Sequence, residues 1–145
     1  MRQYSIDNVD LSWFGIDLTD GLATGTAIQE ARAAQSWSMK MGAKGRGTRV
    51  YNPDRSGTLT LTLDQESLTH QLLKTVSSAD RISRDKVAPM ILTDNTSGEK
   101  LIYQNAFILG EPDESRGVES ATFDWVFGFE KKTNVIPKKL LNIVP

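Results

Sequence analysis

The chain has 145 residues, with 17 Lys and Arg against 18 Asp and Glu, a formal net charge of -1 and no cysteine. That balance excludes a general polyanion binder, although a sum leaves local basic patches open, and the missing thiols exclude disulfides, thiolate metal sites and a cysteine nucleophile. The length suits one domain, 1–145, with a sizeable core. The opening MRQYSIDNVDLSWFG lacks the apolar run of a signal peptide. No stretch approaches the roughly 20 apolar residues that span a bilayer, so a protein made in the cytoplasm with no membrane partner is expected.

Val9 to Leu18 alternates Val9, Leu11 and Trp13 against Asp10, Ser12 and Phe14, the period of a strand. Asp20-Gly21 and the small residues up to Gly25 mark a turn or loop. Residues 27–41 read as one long strand, with Trp37, Met39 and Met41 on one face. Alanines within Gln29–Ala34 argue for helix instead, and a helix there shortens the hairpin. Gly42 to Ser56 is a basic, glycine-rich link, much longer than a tight turn needs. Then Thr58, Thr60 and Thr62 alternate with Leu59, Leu61 and Leu63, a strand with one wet face and one core face.

Gln65 to Ser78 places Leu68, Leu72, Leu73 and Val76 at helical spacing, and the charged run 80–86 reads as loop. Strands follow at 88–93 and 100–109, divided by turn residues 94–98. A polar loop covers 110–119, and an aromatic strand, 121–130, sets Phe123, Trp125, Phe127 and Phe129 on one face. Residues 131–145 read as a C-terminal tail, either frayed or docking its LLNIV patch on a neighbouring subunit. The predicted fold class is mainly β with one helix: a small antiparallel β-sandwich or barrel, a long extended hairpin and one flanking helix.

A search for catalytic chemistry finds little. The single histidine, His70, lies between Thr69 and Gln71 in the helix, a polar setting that favours a surface position. No nucleophile elbow accompanies it, and one histidine cannot build a two-histidine metal site. Scattered carboxylates lack EF-hand spacing, and 42–47 lacks the Walker pattern of a phosphate cradle. No enzyme activity, metal or cofactor is expected. Lys40, Lys44, Arg46, Arg49 and Arg55, with Trp37 and Tyr51 among them, form a basic aromatic hairpin. Such a hairpin suits nucleic acid or an acidic patch on a second copy, for which Glu111, Asp113 and Glu114 are available.

The order of these segments carries a resemblance. A basic glycine-rich loop, Asn52-Pro53-Asp54-Arg55-Ser56-Gly57, the TLTLTL strand and a helix opening with Gln65-Glu66-Ser67 come first. A strand ending in Thr93-Asp94 and an aromatic strand with Phe123-Asp124-Trp125 follow. This order resembles the tail tube proteins of contractile-tailed bacteriophages over residues 9–130, most specifically over 42–67. The resemblance implies hexameric rings that join strands into an inner barrel and stack into a hollow tube. A contractile sheath would surround it, with baseplate and tail terminator proteins as further partners and phage DNA passing transiently through the lumen.

The implied location is the virion tail, assembled in the host bacterial cytoplasm. Thr58, Thr60 and Thr62 would then face the lumen, where cations would hold phosphate back. Lys44, Arg46, Arg49, Tyr51, Asp54 and Arg55 would lie in the loop that meets the next ring or subunit. The inner tube of a headless contractile device, a tailocin or secretion system, fits the same features. A nucleic-acid-binding β-barrel using Trp37, Lys44, Arg46 and Arg49 is the alternative of another class.

Overall fold

The computed structural model describes residues 9–19, 28–64, 67–95, 98–113 and 121–135. The expected turn at 20–25, the helix opening Gln65-Glu66, Glu114 with the rest of its loop, and the end of the tail lie outside these residues.

The mainly β reading with one helix matches the structure. Residues 9–18 hold two strands, not one: β1 (Val9–Trp13) and β2 (Ile16–Asp17). Phe14 (φ 54°) and Gly15 (φ 73°) turn the chain between them, and two successive positive φ values make the mirror-image turn that matches strand twist. Val9, Leu11 and Trp13 are buried while Asp10 and Ser12 are exposed, as the alternation requires.

The expected long strand 27–41 is broken in two, β3 (Ile28–Arg32) and β4 (Trp37–Met41). Its first part is strand, not helix, because pairing of Gln29 with Thr60 and Ala31 with Thr58 overrides alanine's helical preference. The expected link 42–56 is largely structured. It contains β5 (Gly47–Tyr51), antiparallel to β4. A five-residue turn closes the pair, with Gly42 N–H donating to Arg46 O at 2.7 Å.

β6 (Gly57–Asp64) pairs with β3 on one side and β9 (Thr122–Phe129) on the other. Helix α1 (Leu68–Ser83) follows, then β7 (Ala88–Asp94) and the 12-residue β8 (Glu99–Gly110). The helix therefore takes in residues 80–83, where the charged run predicts a loop. Ser67 caps its start by accepting from Thr69 N–H, and Arg84, in the left-handed region at φ 57°, ends it.

The first residues of the expected tail form β10 (Lys131–Val135), which continues the β9 register along β8: Phe107 faces Gly128, and Gln104 faces Lys131. The strand order is β2-β1-β7-β8-β9-β6-β3, with β10 beside β8. β8 belongs to both halves of this arrangement and changes direction at Asn105 (φ 54°), whose amide donates to Glu130.

The core lies between the halves. Leu11, Trp13, Met90 and Tyr103 meet Leu59, Leu61, Trp125 and Phe127, all at most 1% exposed. Trp13 and Phe127 touch edge to face, with centroids 5.4 Å apart. The Trp13 indole N–H is shared between Ala88 O (3.3 Å) and Ala106 O (3.2 Å), the pair beside which the β7–β8 register slips.

The helix stripe is corrected too. Leu68 and Leu72 are exposed, and Leu73 is buried with Thr69, His70 and Ser77. Polar groups can occupy this stripe because each finds a partner. Thr69 donates to Asp17 O at 3.5 Å, His70 Nδ1 accepts from Trp125 Nε1 at 2.9 Å, and Ser77 donates to Glu111. His70 is thus a core residue, 3% exposed and stacked on Phe123.

Candidate assembly interface

β4 and β5 form a two-stranded ribbon that belongs to no larger sheet. All ten of their residues are exposed. Across the ribbon Trp37 faces Tyr51, Met39 faces Arg49 and Met41 faces Gly47. One face therefore carries Trp37, Met39, Met41 and Tyr51. The other carries Ser38, Lys40, Thr48 and Val50. Met39 is 73% and Met41 58% exposed. An isolated two-stranded hairpin is marginal in water, and four large exposed apolar side chains on one of its faces make it a candidate contact surface.

Arg49 is drawn into this face, its guanidinium 3.4 Å from the Trp37 ring centroid. Tyr51 lies 4.9 Å from the same ring, and Arg55 reaches the Tyr51 hydroxyl at 3.5 Å. Lys44 and Arg46 sit in the turn at the ribbon's tip. The predicted hairpin residues are thus divided: Lys44 and Arg46 are distal, Arg49 and Tyr51 lie on the apolar face, and Asp54 and Arg55 lie at the root.

Asp54 organises that root by accepting from Ser56 N–H at 2.9 Å and Ser56 Oγ at 2.6 Å. These bonds hold its carboxyl below the usual carboxylate range, with a smaller contribution from the nearby Arg32 charge. Arg32 donates to Ser36 Oγ at 3.0 Å. Between the ribbon root and β10 lies an open cleft of about 390 Å³, lined by Arg32, Ser36, Arg55, Lys132, Thr133 and Asn134.

Lys132 is engaged beside the cleft by Glu30 at 2.8 Å, and Glu30 also accepts from the Tyr103 hydroxyl at 3.1 Å. Burial, then the Glu30 charge, pushes the Tyr103 hydroxyl pKa up. Sequence reading missed Glu30 and Lys132 because the contacts of Glu30 join β3 to β8 and β10, 73 and 102 residues along the chain; it also missed Arg32, whose partners are Ser36 and Asp54 O.

The threonine strand has the expected two faces: Leu59, Leu61 and Leu63 are buried, and Thr58, Thr60 and Thr62 half-buried. Register puts Gln29, Ala31, Asp64, Thr122, Asp124, Val126 and Gly128 on the threonine side. Thr62 donates to Asp124 at 2.6 Å. Among these residues the only charges are the two aspartates. The predicted acidic loop is divided as well. Glu111 accepts from Ser77 and pairs with Arg81 at 3.1 Å, whereas Asp113 is exposed.

Among the described residues no group of three or more His, Cys, Asp or Glu could hold a metal ion. No helix among them is long and apolar enough to cross a membrane.

The fold is that of parts of contractile injection machines. The tube-terminating cap of the anti-feeding prophage superposes with TM-score 0.60 at 13% identity, over 93% of each chain. The sheath/tube terminator of PVC, an extracellular contractile injection system, in its extended state, gives 0.62 at 9% identity, over 94% of this chain and 99% of the other. A chain of the PVC sheath-tube complex, also extended, gives 0.56 at 13% identity, over 90% and 89%. Identities this low show a shared fold. No family model and no curated protein sequence matches the chain.

Proposed function

We propose that this protein is a structural subunit of a contractile tail or injection device, and that its copies form hexameric rings stacked into a hollow inner tube. The observation that carries this reading is the exposed β4–β5 ribbon, whose apolar face lacks cover from the described residues of its own chain and suits a neighbouring copy. The shared fold with cap, terminator and sheath-tube components supports the same setting. So does the threonine face: a lumen that passes DNA is best polar and free of cations, and the register there brings no Lys or Arg. In this reading Thr58, Thr60 and Thr62 line the bore. The ribbon, with Lys44, Arg46, Arg49 and Tyr51, reaches the next ring, and a sheath surrounds the tube.

A second reading is favoured by two of the solved structures named above, a cap and a terminator: the protein would end a tube and not build its shaft. Negative-stain electron microscopy of purified protein across concentration and salt tests both. Open-ended tubes that lengthen with concentration support the shaft subunit, and single rings that do not stack support the terminator. Dispersed monomers at every concentration, including when tube-forming partners are supplied, would sink both.

A further inference from the structure

An open apolar groove of about 350 Å³ lies at the Gly57 end of the threonine face, with Val87, Phe107, Leu109, Gly128 and Phe129 among its walls. Local sequence builds it. Gly128 pairs with Thr58 on one side and Phe107 on the other. Having no side chain, Gly128 lets the Phe107 ring lie against β9, since a Cβ there would come within 2.9 Å of that ring. The β8–β9 register then slips between Ile108 and Gly110, which leaves Leu109 as the extra residue of a bulge. Bulges re-aim side chains, and Leu109 is 56% exposed, with Val87 at 48%. Two large apolar side chains are thus held in water beside an apolar floor. Thr58 borders the groove, and Thr60 and Thr62 lie outside it.

The ribbon matches this groove in chemistry. Met39 and Met41 share a ribbon face with Trp37 and Tyr51, and methionine side chains bend to fill irregular apolar space. The charges are complementary too. Arg49 gives the ribbon face a cation, and Glu130 gives the groove wall a carboxylate. Glu130 accepts from the Asn105 amide. Among the described residues neither Arg49 nor Glu130 has an opposite charge within salt-bridge distance. Within one chain the two surfaces do not meet: all ten ribbon residues are exposed, and none of them lines the groove.

We infer that the groove beside Leu109 seats the apolar ribbon face of a second copy, with Met39 and Met41 in the groove and Arg49 against Glu130. Ribbon and groove are different surfaces, so each copy donates one and receives with the other. Such head-to-tail contacts generate rings or filaments rather than closed two-fold dimers. The inference rests on the self-assembly reading and names the surface that receives the ribbon.

Cross-linking tests it, because the chain has no cysteine of its own. Met39→Cys and Leu109→Cys proteins are mixed, assembled and treated with a short bifunctional maleimide. A joined pair with one cysteine of each kind must lie between copies. The expected yield of such pairs is at least about tenfold above that of Met39→Cys mixed with Ser78→Cys, a site exposed on α1. Met41→Cys replaces Met39→Cys if the latter fails to assemble. In a separate arm, Leu109→Glu should keep its fold by circular dichroism, since Leu109 is exposed. It should lose about tenfold or more in association by sedimentation velocity. Equal cross-linking to Leu109→Cys and Ser78→Cys, or undiminished association of Leu109→Glu, overturns the groove as the seat and leaves the assembly reading intact. A wild type that never associates overturns the assembly reading and the groove together.

Discussion

The indole N–H of Trp125 donates to Nδ1 of His70 across 2.9 Å, and both residues are buried. This bond joins α1 to β9 and fixes His70 with Nδ1 unprotonated. The ring also stacks on Phe123 with centroids 4.4 Å apart. His70→Phe keeps an aromatic ring there but removes both ring nitrogens, leaving the buried Trp125 donor without its acceptor. The expected loss is about 1–3 kcal/mol of stability, read as a lower denaturant midpoint with an unchanged slope. An unchanged midpoint would show that water or a shifted ring satisfies the indole.

Gly57 marks the point where the ribbon leaves the body. A Cβ built there would clash with Ala31 O and come within 2.8 Å of Phe129, so Gly57→Ala must part β3 from β6. The expected cost is about 1–3 kcal/mol, concentrated in β3. Hydrogen exchange should speed at Ile28–Arg32 while β7 stays protected. Equal protection in both strands would refute the close packing.

In the proposed assembly the ribbon's apolar face serves association and not folding. Met39→Glu should change stability by less than about 0.5 kcal/mol, as is usual for exposed positions, yet abolish rings and tubes. Arg46→Glu with Arg49→Glu should likewise leave folded monomer that fails to polymerise. Normal tubes from either variant would remove the ribbon from the interface.

Because the chain has no cysteine, Thr60→Cys provides a single label site on the threonine face. In monomer it should react with a small maleimide and with one carried on a bulky polymer. In assembled tubes the small reagent should still react, and the bulky one should slow at least tenfold. Equal rates with the bulky reagent would place this face outside the bore.

Asp54 titrates below the ordinary carboxylate range, first because of its hydrogen bonds to Ser56. A carboxylate with a depressed folded pKa contributes stability above its unfolded pKa and loses it as pH falls through the folded value. The turn at 52–56 should therefore stay ordered at neutral pH and loosen only under strong acid. In an NMR titration Ser56→Ala should bring the Asp54 midpoint back up. An unmoved midpoint would assign the depression to Arg32 instead.

Sequence alone determined what local periodicity controls. The period of two in Val9–Trp13, Gly57–Asp64 and Thr122–Phe129 specified which side chains enter the core, because one residue of slip would turn every leucine outward. It also exposed the Trp37, Met39, Met41 face, and the threonine face opposite the leucines. Tertiary structure decided what depends on distant partners. His70 is buried because Trp125, 55 residues away, offers a donor. Glu111 is engaged because Ser77 and Arg81 face it. Residues 131–135 are a strand because β8 offers an edge. A polar side chain's burial depends on whether a partner can replace its water, and that partner is chosen by the fold and not by neighbours along the chain.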